Sequence, residues 1–264
     1  MPLRRVFILT RLNLLENARK QVFHVLMLAT VVVIFSSTLL SFFTLGVQTK
    51  ILKDLCLASI MFSAGLMSIA LSCGSIPADV EGKTLYPILA RPLRRWEYVL
   101  GKYFGVLATT TASVALMSVA FAALLYHYQH GVDRFMFTAI AFVLLECATV
   151  AGITTLLSTF ASPVAAGVVS FLIFVMGTVK IGYLGTLIYG GPNPTVNPPS
   201  PVVQVIGGFI YHLLPNLECF NFKEALVHGI PTPTPYLLLV AGYGALYATF
   251  MVGAACAVFA RREL

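Results

Sequence analysis

Apolar residues fall along this chain in long uninterrupted blocks, at about 22–46, 55–77, 104–126, 135–158, 163–188 and 236–259. Neither the alternation of a half-buried strand nor the narrow stripe of a surface helix is present. A helix rises 1.5 Å per residue, so about twenty apolar residues cross the roughly 30 Å hydrocarbon layer of a bilayer. Inside that layer every backbone N–H and C=O needs an internal partner, which a single helix supplies by itself. The pattern therefore predicts an all-α polytopic membrane protein with six transmembrane helices.

The stretches between the blocks differ in kind. Residues 1–21 carry five Lys/Arg among apolar residues at loosely helical spacing, including Val6, Leu9, Leu12 and Leu15, which predicts a helix lying in the membrane interface. The apolar block after it is too long for a signal-peptide core and ends in no small-residue cleavage site, so it reads as an uncleaved first span. Thr159-Phe160-Ala161-Ser162-Pro163 is a short hinge, with Pro163 suited to a helix's first turn. Residues 190–235 open on GGPNPTVNPPSP and close on PTPTP, a proline density that no spanning helix tolerates. The two pieces between those ends read as short interfacial or re-entrant helices in an extracytoplasmic insertion before the last span.

Composition agrees with this picture, at 58% hydrophobic residues against 10% charged, with a mean hydropathy of +0.89. A net charge of +7 would suggest nucleic acid for a soluble chain, but here the position of the cations carries the information. Twelve of the seventeen Lys and Arg fall on one side of the predicted membrane, leaving Lys50, Lys53, Arg134, Lys180 and Lys223. The positive-inside bias then places both termini and residues 78–103 in the cytoplasm, in the cell (inner or plasma) membrane. The five cysteines show no CxxC spacing, and Cys56 and Cys219 could pair only if both reached the outer face. No metal-ligand spacing, H-E-x-x-H or G-x-S-x-G motif occurs, so a catalytic centre has no support.

The connection 78–103, ADVEGKTLYPILARPLRRWEYVLGKY, is the long polar stretch near the middle of the chain. It joins Asp79 and Glu81 to a short apolar segment, Thr84–Ala90, and then to Arg91, Arg94, Arg95, Trp96 and Glu97. An apolar face between charged flanks suits docking into a groove, with the charges setting register. Trp96 and Tyr98 are expected to anchor the return to the membrane at the headgroup level.

Glu81-Gly82-Lys83-Thr84-Leu85, Arg91-Pro92-Leu93-Arg94-Arg95 and Gly101-Lys102 together resemble the E-x-G-T-L … P-x-S-R … G-K loop of type-2 ABC transporter permeases, with a likeness to the NosY-like and gliding-motility-like subgroup. Lys83 is an insertion relative to that pattern, and Arg94 replaces its Ser. The resemblance implies that residues 78–103 hold a coupling helix docked on a separate ATP-binding subunit, with Glu81, Gly82, Thr84, Leu85, Arg91, Pro92, Arg95, Gly101 and Lys102 as coupling residues. It further implies two copies of the chain with two ATPases, and ATP and Mg bound by the partner. No G-x-x-x-x-G-K-[ST] occurs, so no cofactor is expected on this chain.

Two charged residues fall within predicted spans. Glu146 lies near the middle of the fourth, where an ionised carboxylate is expensive, and Lys180 lies toward the outer end of the fifth. Both are candidates for a substrate path, with a structural pair and snorkelling to the interface as the respective alternatives. Glu146 also permits a different reading, an ion-coupled secondary transporter. That fold class is expected to show inverted repeats, and none is evident here.

Overall fold

The computed structural model describes residues 2–41, 48–81, 94–129, 131, 134–179, 205, 207–208, 211, 214–228 and 232–261. Its long elements are all helices: α1 (Pro2–Ala18), α2 (Gln21–Ser41), α3 (Gln48–Cys73), α4 (Pro77–Glu81), α5 (Arg95–Gln129), α6 (Arg134–Ser158), α7 (Pro163–Thr178), α8 (Lys223–His228) and α9 (Thr234–Arg261). A 3-10 turn at Glu218–Phe220 precedes α8.

Five of these helices, at α2, α3, α5, α6 and α9, are long and apolar enough to cross a bilayer. The expected fifth span begins as α7, which is apolar but only 16 residues long, and residues 180–188 lie outside the described residues. Its start follows local chemistry. Ser162 caps the helix by accepting a hydrogen bond from the Ala165 N–H at 3.4 Å, and Pro163 sits where its missing donor costs nothing.

α6 packs between α3 and α9, and α5 touches α1, α2, α3, α6 and α9. With lipid outside, burial against water does not drive these contacts, so close van der Waals fit and small residues do. Gly65 lies against the Phe174 ring and Gly244 against Leu145 and Phe220, positions where an added Cβ would sit under 3.0 Å from its neighbour. Fully buried Ile34, Cys56, Ile60, Met67, Met117 and Phe121 fill the interior. The opposite faces are apolar and bare: Leu28 on α2, Val164 on α7 and Leu246 and Phe250 on α9 are each two-thirds or more exposed. Apolar outside as well as inside is the signature of a lipid-facing bundle.

At the end expected to be extracytoplasmic, the segment before α9 folds back on the bundle. Phe222 packs 4.3 Å from Phe142, Phe220 is fully buried, and the Asn216 N–H donates to the Tyr243 hydroxyl at 3.0 Å. Lys223 on α8 pairs with Asp54 on α3 at 3.1 Å. Cys56 and Cys219 are not joined in a disulfide: the first lies 3.4 Å from the Ser37 hydroxyl and the second donates to the Asn216 carbonyl.

The other end extends one expectation and revises another. The third span is expected from about Phe104, and the helix that carries it, α5, already begins at Arg95 and runs 35 residues, about 52 Å at 1.5 Å per residue. Hydropathy marks where the solvent changes, but a helix starts where its first N–H groups are capped. Here Glu97 reaches back to accept the Arg94 N–H at 3.1 Å, the return half of a capping box. Tyr98, expected at the headgroup level, is fully buried instead.

Candidate functional site: the helices that hold the 78–103 connection

α4 leads into the 78–103 connection and α5 leads out of it. Glu81 is the last residue of α4. Gly82, Thr84, Leu85, Arg91 and Pro92 lie outside the described residues, as does Lys180. Arg95, Gly101 and Lys102 fall on the first two turns of α5, and each holds a different element in place.

Lys102 sits at the centre. Its ammonium lies 2.9 Å from Asp79 on α4 and 3.7 Å from Glu16 on α1, with 11% of the side chain exposed. The Tyr98 hydroxyl donates to the same Asp79 carboxylate, and the Lys102 ammonium stands 5.9 Å from the Tyr98 ring centre. Glu16 also meets Lys20 at 3.4 Å. A cavity of about 330 Å3 lies among Leu9, Asn13, Glu16, Asp79, Tyr98 and Lys102. Lys102 and Asp79 are largely covered, and the loss of water around them is offset by the opposite charge each faces at short range.

Gly101 explains how α1 comes close enough. A Cβ there would lie 2.5 Å from the Leu9 Cβ, and one at Gly105 would lie 2.5 Å from Asn13 Nδ2. Gly101-x-x-x-Gly105 is thus a small-x-x-x-small seam on which α1 lies. Asn13, 3% exposed, closes the seam by donating to the Lys102 carbonyl at 2.8 Å. Arg5 adds an ion pair to the buried Glu97 at 3.8 Å.

Arg95 ties in the far end of the chain. Its guanidinium donates to the carbonyls of Phe259 at 3.4 Å and Ala260 at 3.1 Å. A cation on the last carbonyls of α9 suits both their unpaired acceptors and the negative end of the helix dipole. Tyr98 stacks on Phe259 at 5.7 Å beside this contact. Three of the residues named from sequence therefore meet in one cluster of α1, α4, α5 and the end of α9. Sequence reading passed over Asn13, Glu16 and Gly105; the four-residue spacing of Gly101 and Gly105 was the available signal.

Glu146 stands apart, on α6 in the bundle interior. It is 1% exposed, and neither carboxylate oxygen has a hydrogen-bond partner among the described residues. The hydroxyls of Ser72 on α3 and Ser170 on α7 are likewise buried with no hydrogen-bond partner among the described residues.

A helical bundle with bare apolar faces and several helices of membrane length is a multi-pass membrane protein. The family model described as ABC-2 family transporter protein matches residues 12–264, and the chain belongs to that family. It is therefore the membrane component of an ABC transporter, not the ATP-binding subunit, and the family implies an ATP-binding partner. This displaces the ion-coupled secondary transporter as a reading of Glu146. No curated protein matches the chain.

Proposed function

We propose that this chain is the permease subunit of an exporter driven by a separate ATP-binding subunit docked on residues 78–103, in an assembly of two permeases and two ATPases. ATP and Mg belong to that partner, and the termini and the 78–103 connection face the cytoplasm of the cell membrane.

The observation that carries this reading is the way both ends of the connection are held. Asp79 at its start and Lys102 at its end form one ion pair, which also engages Glu16 on α1. Arg95 reaches the end of α9. A push on the connection is therefore delivered to α1, α4, α5 and α9 together rather than absorbed by a slack loop. Coupling through a rigid unit needs this, because packed helices shift between discrete arrangements and do not stretch. Glu146 is assigned to the substrate path, because it is buried in the bundle and its carboxylate oxygens have no hydrogen-bond partner among the described residues.

The test is purification of the tagged full-length chain from native membranes, followed by ATP turnover in reconstituted vesicles. An ATPase subunit should co-isolate, and Glu81→Ala or Arg95→Ala should leave turnover while abolishing transport. Transport at the wild-type rate per ATP in both variants would overturn the assigned role of the connection.

A further inference from the structure

On another face of α1, a groove of about 720 Å3 opens between that helix and α5. Phe7, Phe104, Leu107 and Ala108 line it, with Arg4 and Thr111 among its residues. Phe7 is 68% and Phe104 45% exposed, so the walls are bare of protein. Arg4 is exposed and makes no hydrogen bond or ion pair among the described residues, whereas its neighbour Arg5 is held by Glu97.

α1 and α5 run parallel here, since Leu9 meets Gly101 and Asn13 meets Gly105 at the same offset along the two helices. That register sets Arg4 level with Trp96. From this level to Thr111, at the other end of the groove, is about 22 Å along α5. One bilayer leaflet has this depth, taking half of the roughly 30 Å hydrocarbon layer and its headgroup region. The cation stands at the end near the chain terminus, and the apolar walls extend toward the core of the bundle.

We propose that this groove binds an anionic phospholipid, with its phosphodiester on Arg4 and an acyl chain along Phe7, Phe104, Leu107 and Ala108. A guanidinium without a protein partner recognises phosphate by paired hydrogen bonds as well as charge. The inference rests on the chain's place in a bilayer and not on ATPase docking, so either can fail without the other.

Brominated acyl chains quench a nearby indole, and Trp96 is the single tryptophan of the chain. The full-length chain carrying Trp96→Phe and Phe104→Trp is reconstituted in phosphatidylcholine containing either brominated phosphatidylglycerol or brominated phosphatidylcholine. A chain with Trp96→Phe and Leu246→Trp, on the bare face of α9, reports ordinary lipid contact. The phosphatidylglycerol should be favoured about five-fold at the Phe104→Trp indole, the contribution of one basic residue near an anionic surface. No preference is expected at the Leu246→Trp indole. Adding Arg4→Gln should abolish the preference, and Arg4→Lys should retain part of it. Equal quenching by the two lipids, quenching by neither, or a preference that survives Arg4→Gln would each overturn the proposal.

Discussion

Lys102 carries a positive charge into a site where 11% of its side chain is exposed and Asp79 and Glu16 surround its ammonium. Replacing it by Met removes the cation from the Asp79 carboxylate, which is 17% exposed and still accepts from Tyr98, and should cost about 2–3 kcal/mol, less than breaking a fully buried pair because that hydrogen bond and some water remain. Thermal unfolding in detergent should register the loss, and Asp79→Asn in the Lys102→Met chain should recover part of it. Full additivity of the two changes would mean that the pair is not coupled. Glu146 leads to the opposite expectation. Its oxygens are buried with no hydrogen-bond partner among the described residues, so Glu146→Leu removes an unsatisfied polar group and should raise the unfolding temperature. A residue kept at that expense serves function, so the same variant should lower transport. A drop in stability would show instead that Glu146 holds the bundle together.

At the scale of elements, the seam between α1 and α5 is the contact most sensitive to a small change. Gly105→Val would drive a branched side chain into Asn13, where even a Cβ lies within 2.5 to 2.9 Å. Overpacking of this kind should cost about 1–3 kcal/mol and loosen α1 selectively. Hydrogen exchange should rise over residues 2–18 and stay unchanged in α2. Gly253→Val is the control, since nothing lies within 4 Å of a Cβ built there. Five of the six expected spans were legible in the sequence because a bilayer demands long apolar blocks, whatever the helices then touch. The start of α5 was not, because Glu97 and Lys102 read as part of a polar loop until Arg5, Asn13 and Glu16 of α1 are seen against them. Asn13 and Asn17 gave no signal either. Two asparagines on a short basic helix read as a solvated face, yet both are buried.

Over the whole molecule, charge asymmetry and helix order imply an orientation that a labelling experiment can check. Single cysteines at Lys83→Cys and Thr195→Cys, in a background without the five native cysteines, should react with an impermeant maleimide from opposite sides of the membrane. The 83 site should be reached from the cytoplasm. Labelling of both from one side would break the topology. The cluster of α1, α4, α5 and the α9 terminus gathers distant parts of the chain around one connection, and this was legible only in part. The family's loop pattern pointed to Arg95, Gly101 and Lys102, but their partners at Glu16, Asp79 and Ala260 are brought near by folding, and no local pattern encodes them. The central claim is that this cluster passes the work of a separate ATPase to the membrane helices. Its most direct measurement is transport per ATP hydrolysed by the reconstituted complex, with and without Lys102→Met. The account predicts continued ATP hydrolysis with transport per ATP reduced by about ten-fold or more, the effect of losing some 1.4 kcal/mol of coupling. An unchanged ratio in a folded Lys102→Met complex would contradict it.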